Sequence, residues 1–88
     1  MNTVIIDISE LESPADFHEV LKFKLDLPEF YGRNLDAFHD ILTSVPSLHL
    51  ILCGQDDIYS SMKDYLPRLS AVMNAAMNEN KGFSFEIK

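Results

Sequence analysis

Asp36, His39 and Asp40 are the residues whose types and spacing could do chemistry in this sequence. On a helix, side chains three and four residues apart share one face, so two carboxylates and an imidazole would project together. Such a trio could bind a divalent metal and assist hydrolysis, but it would lack the further ligands of a typical metal site. A solvated acidic helix face is the simpler interpretation.

Other enzymatic motifs are absent. The sequence contains no glycine-rich phosphate loop, no G-x-S-x-G elbow and no H-E-x-x-H pair. Its single cysteine, Cys53, ends an apolar run, so we expect it to be a buried, reduced strand residue and not a nucleophile activated by His18 or His49. We therefore predict no enzymatic activity, no catalytic residue, no cofactor and no metal.

A helix beginning after Asn34 would position the acidic trio. Asn34 is a favourable N-cap, and Pro46 closes the segment. One side of this helix would carry Leu35, Phe38, Ile41, Leu42 and Val45, and the other Asp36, His39, Asp40 and Thr43. The apolar side is expected to pack on a core, which leaves the acidic side outside.

The remaining pattern predicts an α/β fold. Three segments, at about residues 3–8, 48–53 and 83–87, have the apolar and β-branched residues typical of strands and are separated by helical stretches. This order favours a three-stranded parallel sheet packed by about four helices. Strands that are apolar on both sides suit a sheet covered by helices. Ser13 and Pro14 predict a helix from Pro14 to about Leu25. We further expect a short third helix to about Tyr65, and a fourth that starts at Pro67 and is capped by Gly82.

Length and charge limit the possible partners. The 88 residues suit one domain, 1–88. The net charge is −7, and residues 1–62 hold eleven acids against three bases, whereas residues 63–88 hold three against four. Such a surface repels phosphate backbones, so direct nucleic-acid binding is not expected, but it would attract a basic protein. The acidity could instead serve only solubility.

Location follows from the same composition. No apolar run approaches the roughly 20 residues of a membrane span, and the start of the sequence lacks a secretory pattern. With one cysteine, no internal disulfide can form. We expect a cytoplasmic protein with no membrane partner.

The segment Leu27 to Thr43 carries a family resemblance. It reads LPEFYGRNLDAFHDILT, which is similar to the L-P-E-aromatic-Y-G-x-N-L-D-A-hydrophobic-x-D-x-L-T signature of the barstar family. That family consists of small intracellular bacterial inhibitors of secreted ribonucleases resembling barnase. The rest of the chain agrees in length and element order with little residue identity.

The resemblance implies a binding protein that forms a 1:1 complex as a monomer. Its second helix and the preceding loop would enter the active site of a basic, extracellular-type ribonuclease, where Asp36 and Asp40 would meet the cations that hold RNA phosphate. The partner-binding residues implied are Phe30, Tyr31, Gly32, Asn34, Asp36, Ala37, His39, Asp40 and Thr43.

Three departures bear on the target. Phe30 replaces the family's first loop tyrosine, His39 stands where barstar has tryptophan, and Met77 aligns with an acid on the last helix, although Glu79 is close by. His39 could be a contact or simply exposed surface. Two other functions stay open: a barstar-like module that binds a different basic protein, and the metal-assisted hydrolase.

Overall fold

The computed structural model describes residues 2–88, which form three strands connected through helices. In chain order they are β1 (Asn2–Asp7), a 3₁₀ turn (Ile8–Glu10), α1 (Pro14–Leu25), α2 (Leu35–Ser44), β2 (Leu48–Cys53), a 3₁₀ turn (Gln55–Asp57), α3 (Ser60–Glu79) and β3 (Phe83–Ile87). The predicted α/β class is confirmed, with three α-helices in place of about four.

The three strands form one parallel sheet, as predicted, and the structure shows that their order is β1-β2-β3. Ile5 lies opposite Ile51, and Leu50 lies opposite Phe85. Along β2, buried Leu48, Leu50 and Leu52 alternate with half-buried neighbours. One face of the sheet therefore packs on the helices and carries the core.

The opposite face of the sheet is more open than expected. Ile5 is exposed there, and Cys53 is half-buried instead of buried. Side chains alternate between the two faces of a strand, and Cys53 follows Leu52, which points into the core. An apolar run alone does not show which face the helices cover, which is why the prediction of a buried Cys53 was wrong.

Helix α1 has the boundaries that its sequence signals predict. The Ser13 Oγ accepts a hydrogen bond from the Asp16 amide at 3.3 Å, and Pro14 occupies the first turn. Asp26 ends the helix in the left-handed conformation, with φ of 52°. Phe17 and Leu21 on the inner side are fully buried.

Helix α3 continues through Pro67, where the sequence predicted a break between two helices. Proline removes one hydrogen bond, to the carbonyl of Lys63, but both residues are exposed, so water can reach that carbonyl. Packing holds the helix together because its inner face is fully or nearly fully buried, through Met62, Tyr65, Leu69, Met73 and Ala76.

Gly82 serves the start of β3 and not the helix end, where Asn80 is the cap. A Cβ atom at Gly82 would lie 2.2 Å from the Pro46 carbonyl oxygen, which leaves no room for any other residue. The Asn80 Nδ2 donates hydrogen bonds to the carbonyls of Leu42 and Val45, at 2.9 and 2.8 Å. These contacts fix the end of α2 against α3.

No helix within residues 2–88 combines the length and the apolar character needed to cross a membrane.

Candidate binding surface

Asn34 fixes the start of α2 and the turn before it. Its Oδ1 accepts a hydrogen bond from the Ala37 amide at 2.8 Å, and its Nδ2 donates to the Gly32 carbonyl at 3.2 Å. A Cβ atom at Gly32 would lie 3.2 Å from the Ala37 Cβ, so glycine suits this close turn. The cap thereby places Asp36 in the first helical turn, where a carboxylate is favoured by the helix dipole.

Asp36 and Asp40 project into solvent from the same side of α2. The Asp40 side chain is 84% exposed. Within residues 2–88, neither carboxylate forms an ion pair with a lysine or an arginine. Their negative charge is therefore available to another molecule.

His39 joins α2 to α3. Its Nε2 lies 2.6 Å from the Glu79 Oε2, and its Nδ1 lies 4.0 Å from the Asp40 Oδ1. The side chain is half-buried and held between two carboxylates, which differs from both a free surface position and a protruding anchor. Glu79 thus adds a third acid to the surface, and we call Asp36, Asp40 and Glu79 the acidic face.

Thr43 lies one turn beyond His39 on the same helix. Its hydroxyl donates to the His39 carbonyl at 3.1 Å, and the residue is half-buried, as is Ala37. Both residues therefore lie at the margin of the acidic face with only part of their surface accessible.

Phe30 and Tyr31 have opposite environments in the loop before α2. Phe30 is 87% exposed, whereas Tyr31 is 5% exposed. A partner could contact the Phe30 ring directly. Tyr31 lies beneath the loop, so its ring can influence binding only by holding its neighbours in place.

A buried histidine anchors Tyr31. The Tyr31 hydroxyl lies 2.8 Å from His18 Nδ1, and the Tyr65 hydroxyl lies 2.6 Å from His18 Nε2. We call these three residues the His–Tyr chain; it connects the loop to α1 and α3. Burial lowers the pKa of His18 and raises the pKa of Tyr31 and of Tyr65, because it disfavours the charged form of each group.

Two ion pairs also hold the loop against α1. The Lys22 Nζ lies 3.0 Å from the Glu29 Oε1, and the Arg33 Nε pairs with Glu19. The hydrogen bond from Lys22 lowers the pKa of Glu29. Because the contacts come from successive turns of α1, they hold the loop before α2 in one shape.

An open cleft of about 470 Å³ borders the acidic face at Asp36. It lies where the first turns of α1 and α2 meet the first half of α3. His18, Arg33, Tyr65 and Arg68 are among its lining residues. The Arg68 guanidinium lies over the Tyr65 ring, 5.5 Å from its centroid.

The structure places the predicted site residues on one loop and one helix, but it separates their roles. Asp36, Asp40 and Phe30 are open to a partner, whereas Tyr31 is buried and His39 is engaged by Glu79. Among residues 2–88, no three His, Cys, Asp or Glu side chains converge as a metal site would require.

Sequence reasoning missed the support beneath the surface. His18, Glu19 and Lys22 were not expected to contact the loop. A histidine beside Phe17 on the helix side carrying Leu21 was a usable signal, because a polar group there needs a buried partner. The partners themselves are 13 and 47 residues away, and no local pattern identifies them.

Comparison with known proteins identifies the family to which the chain belongs. The family described as Barstar (barnase inhibitor) matches residues 1–88. A protein of Bacillus subtilis (strain 168), named "Putative ribonuclease inhibitor YrdF", is 37% identical over 83 residues, which cover 92% of this chain and 91% of the relative. By sequence, the chain belongs to the barstar family.

Proposed function

We propose that this protein inhibits a small basic ribonuclease by covering its active site. The family match and the ribonuclease-inhibitor name of the relative support this class of function. The observation that carries the proposal is that the carboxylates of Asp36 and Asp40 are exposed and, within residues 2–88, paired with no lysine or arginine, on a helix whose preceding loop is held in place before binding.

The proposed mechanism is mimicry of the RNA backbone. A ribonuclease must hold phosphate with cationic side chains, and carboxylates form charge-assisted hydrogen bonds with the same groups. Asp36 and Asp40 would occupy the phosphate positions, and Phe30, Gly32, Ala37 and Thr43 would contact the rim. The inhibitor performs no chemistry in this mechanism and needs no cofactor.

The anchored loop would contribute through its rigidity. Ordering a mobile loop on binding opposes association, at about 0.5–1.5 kcal/mol for each immobilised long side chain. Here the His–Tyr chain and the Lys22–Glu29 pair hold the loop before a partner arrives. More of the contact energy can therefore appear as affinity.

The choice of nuclease should depend on His39 and Met77. A large aromatic anchor is often central to an interface, and His39 is smaller and tied to Glu79. We therefore expect weaker inhibition of barnase than of a basic ribonuclease secreted by the source organism. The expected complex is 1:1.

The test is titration of RNA cleavage by barnase and by basic ribonucleases purified from the source organism's medium. The wild-type protein should abolish one of these activities at equimolar ratio, and Asp36→Asn should shift the titration to higher concentration. Asp56→Asn, which removes an exposed carboxylate elsewhere, is the control.

If the protein inhibits none of these ribonucleases, the proposal is refuted. Tight binding to a basic protein without nuclease activity would favour the alternative interaction module. Metal-dependent RNA cleavage by the protein alone would favour the hydrolase.

A further inference from the structure

We propose that the cleft beside Asp36 receives a carboxylate side chain of the inhibited nuclease. This inference rests on the proposed function and adds an element of specificity to it. The acidic face would meet the cations of the active site, and the cleft would meet an acid at their border.

The distribution of arginine is the first observation. The sequence has only two arginines, Arg33 and Arg68, and both line this cleft. Within residues 2–88, Arg68 forms no ion pair with a carboxylate. Arg33 donates from Nε to Glu19 and from Nη1 to the Tyr31 carbonyl, so donors of its five N–H groups remain for a ligand.

The sign of the charge is the second observation. The protein carries a net charge of −7, which favours a cationic partner. Arg33 is already paired with Glu19, but Arg68 is not paired with a carboxylate of residues 2–88, and its charge would repel such a partner wherever it met the partner's cations. That charge favours binding only if the partner presents an acid at this point, which is a way to reject basic proteins that lack one.

The protons of the His–Tyr chain give a third observation. Two phenol protons and one imidazole proton serve only two links, so one tyrosine hydroxyl keeps a proton for another acceptor. Tyr65 lines the cleft and Tyr31 does not, so the cleft can receive a spare hydroxyl proton only from Tyr65, in the tautomer that protonates His18 at Nε2. A carboxylate in the cleft could accept that hydrogen bond as well as those of the arginines.

The backbone conformation of Arg33 is a fourth observation that supports a ligand at the cleft. Its φ is 52°, in the left-handed region that glycine or asparagine occupies at lower cost. The requirements of the turn alone would favour glycine here. An arginine in this conformation is consistent with a use for its side chain.

The experiment compares two substitutions on α3 that change the net charge equally. Arg68→Glu reverses a charge in the cleft, and Lys63→Glu reverses an exposed charge that does not line it. Affinities and dissociation rates would be measured with the ribonuclease found in the inhibition panel, starting with barnase. Arg68→Gln provides a milder variant, and thermal unfolding verifies that each protein is folded.

The two charge reversals should have opposite effects. Lys63→Glu should bind as tightly as the wild type or tighter, because the added negative charge improves steering. Arg68→Glu should bind about tenfold more weakly or worse, through faster dissociation, because it places two acids together. Changing the facing nuclease acid to lysine should restore binding of Arg68→Glu.

The outcomes separate this inference from the proposed function. If the wild type inhibits a nuclease and Arg68→Glu binds as tightly as Lys63→Glu, the cleft has no carboxylate partner and only this inference is refuted. If the wild type inhibits no ribonuclease in the panel, both are refuted.

Discussion

Phe30 and Tyr31 are adjacent aromatic residues with different uses of their rings. Phe30 is exposed in the loop before α2, and Tyr31, next to it in the sequence, is buried and bonds to His18. Of these two adjacent rings, the outward-facing one is accessible to a partner, and the buried one holds the loop in place. The same separation distinguishes Asp40, which is exposed, from His39, which is held by Glu79.

Substitution of the two rings should affect different measurements. Phe30→Ala should change the free energy of unfolding by less than about 0.5 kcal/mol but weaken the nuclease complex. Tyr31→Phe should cost about 1–3 kcal/mol of stability, because it leaves a buried His18 nitrogen without its partner. Phe23→Ala is the matched control, since Phe23 is 85% exposed on α1 outside the site. Equal loss of inhibition by Phe23→Ala and Phe30→Ala would contradict the role of Phe30.

Asp40→Asn should separate binding from folding. The substitution removes one of two like charges on an exposed helix face, so stability should stay the same or rise by a few tenths of a kcal/mol. The complex should weaken by about 2 kcal/mol or more, because a buried cation of the partner would lose its charged acceptor. Urea unfolding of the free variant and titration of nuclease activity would measure the two effects. A variant that unfolds early yet inhibits fully would show that Asp40 is structural.

At the scale of single residues, the sequence predicts where a residue lies on its helix better than it predicts whether the side chain is buried. The motif from Leu27 to Thr43 places Asp36 and Asp40 together on one helix face, and the structure has them there. It does not predict that Tyr31 is buried, because burial depends on His18 and on Tyr65, which is far away in the chain. Local spacing cannot encode such contacts.

At the scale of elements, α1 supports the loop that precedes α2. His18, Glu19 and Lys22 occupy one side of the helix and contact the loop at Tyr31, Arg33 and Glu29. The sequence predicts the observed bounds of α1, β2 and β3, and both α1 and α2 have clear caps at their starts. The division of α3 was predicted wrongly because a proline was taken as a start, whereas packing of the inner face overrides its local preference.

At the scale of elements, we predict that His18 makes the stability of the protein fall at mildly acidic pH. Burial holds the pKa of His18 below its ordinary value of 6.5, so below pH 6.5 the unfolded chain takes up a proton that the folded protein does not. The contribution of His18 is complete above pH 6.5 and is lost as the pH falls toward the folded-state pKa, by up to about 1.4 kcal/mol per pH unit. His18→Gln should lack this loss. The Tyr hydroxyls face the imidazole directly, and Arg33, Asp36 and Arg68 border the same cleft.

Urea unfolding at several pH values between about 7.5 and 5 would measure this difference. Wild type and His18→Gln each retain His39 and His49, so subtraction isolates His18. Stability curves that run parallel across this range would show that His18 does not link folding to pH.

At the scale of the whole molecule, charge is distributed unevenly. Residues 1–62 hold eleven acids against three bases, and this part of the chain includes the binding loop and α2. The positions of the charged residues in the sequence give this asymmetry, and the order of strand and helix segments predicts a parallel sheet. The sequence does not predict that the helices cover one face of the sheet and leave Ile5 exposed on the other. The apolar pattern of a strand does not show which of the two faces will be covered.

Association with the nuclease should therefore depend strongly on salt. Added salt screens the attraction between exposed charges over distances beyond about 8 Å at physiological ionic strength. The association rate should fall steeply from low to physiological salt, and the dissociation rate should change less. Stopped-flow mixing would measure both rates, with Lys63→Glu expected to steepen the dependence. An association rate that is flat over this range would contradict steering.

The His–Tyr chain also has an alkaline consequence. The raised pKa values of Tyr31 and Tyr65 mean that the folded protein keeps these phenols neutral above pH 10, where the unfolded chain ionises them. Stability is thus complete below pH 10 and is lost as the pH rises further. The sequence has no tryptophan and only three tyrosines, so ultraviolet absorbance at high pH reports phenolate formation with little interference. Formation of phenolate at Tyr31 and Tyr65 would then be an optical signal that the loop has left α1.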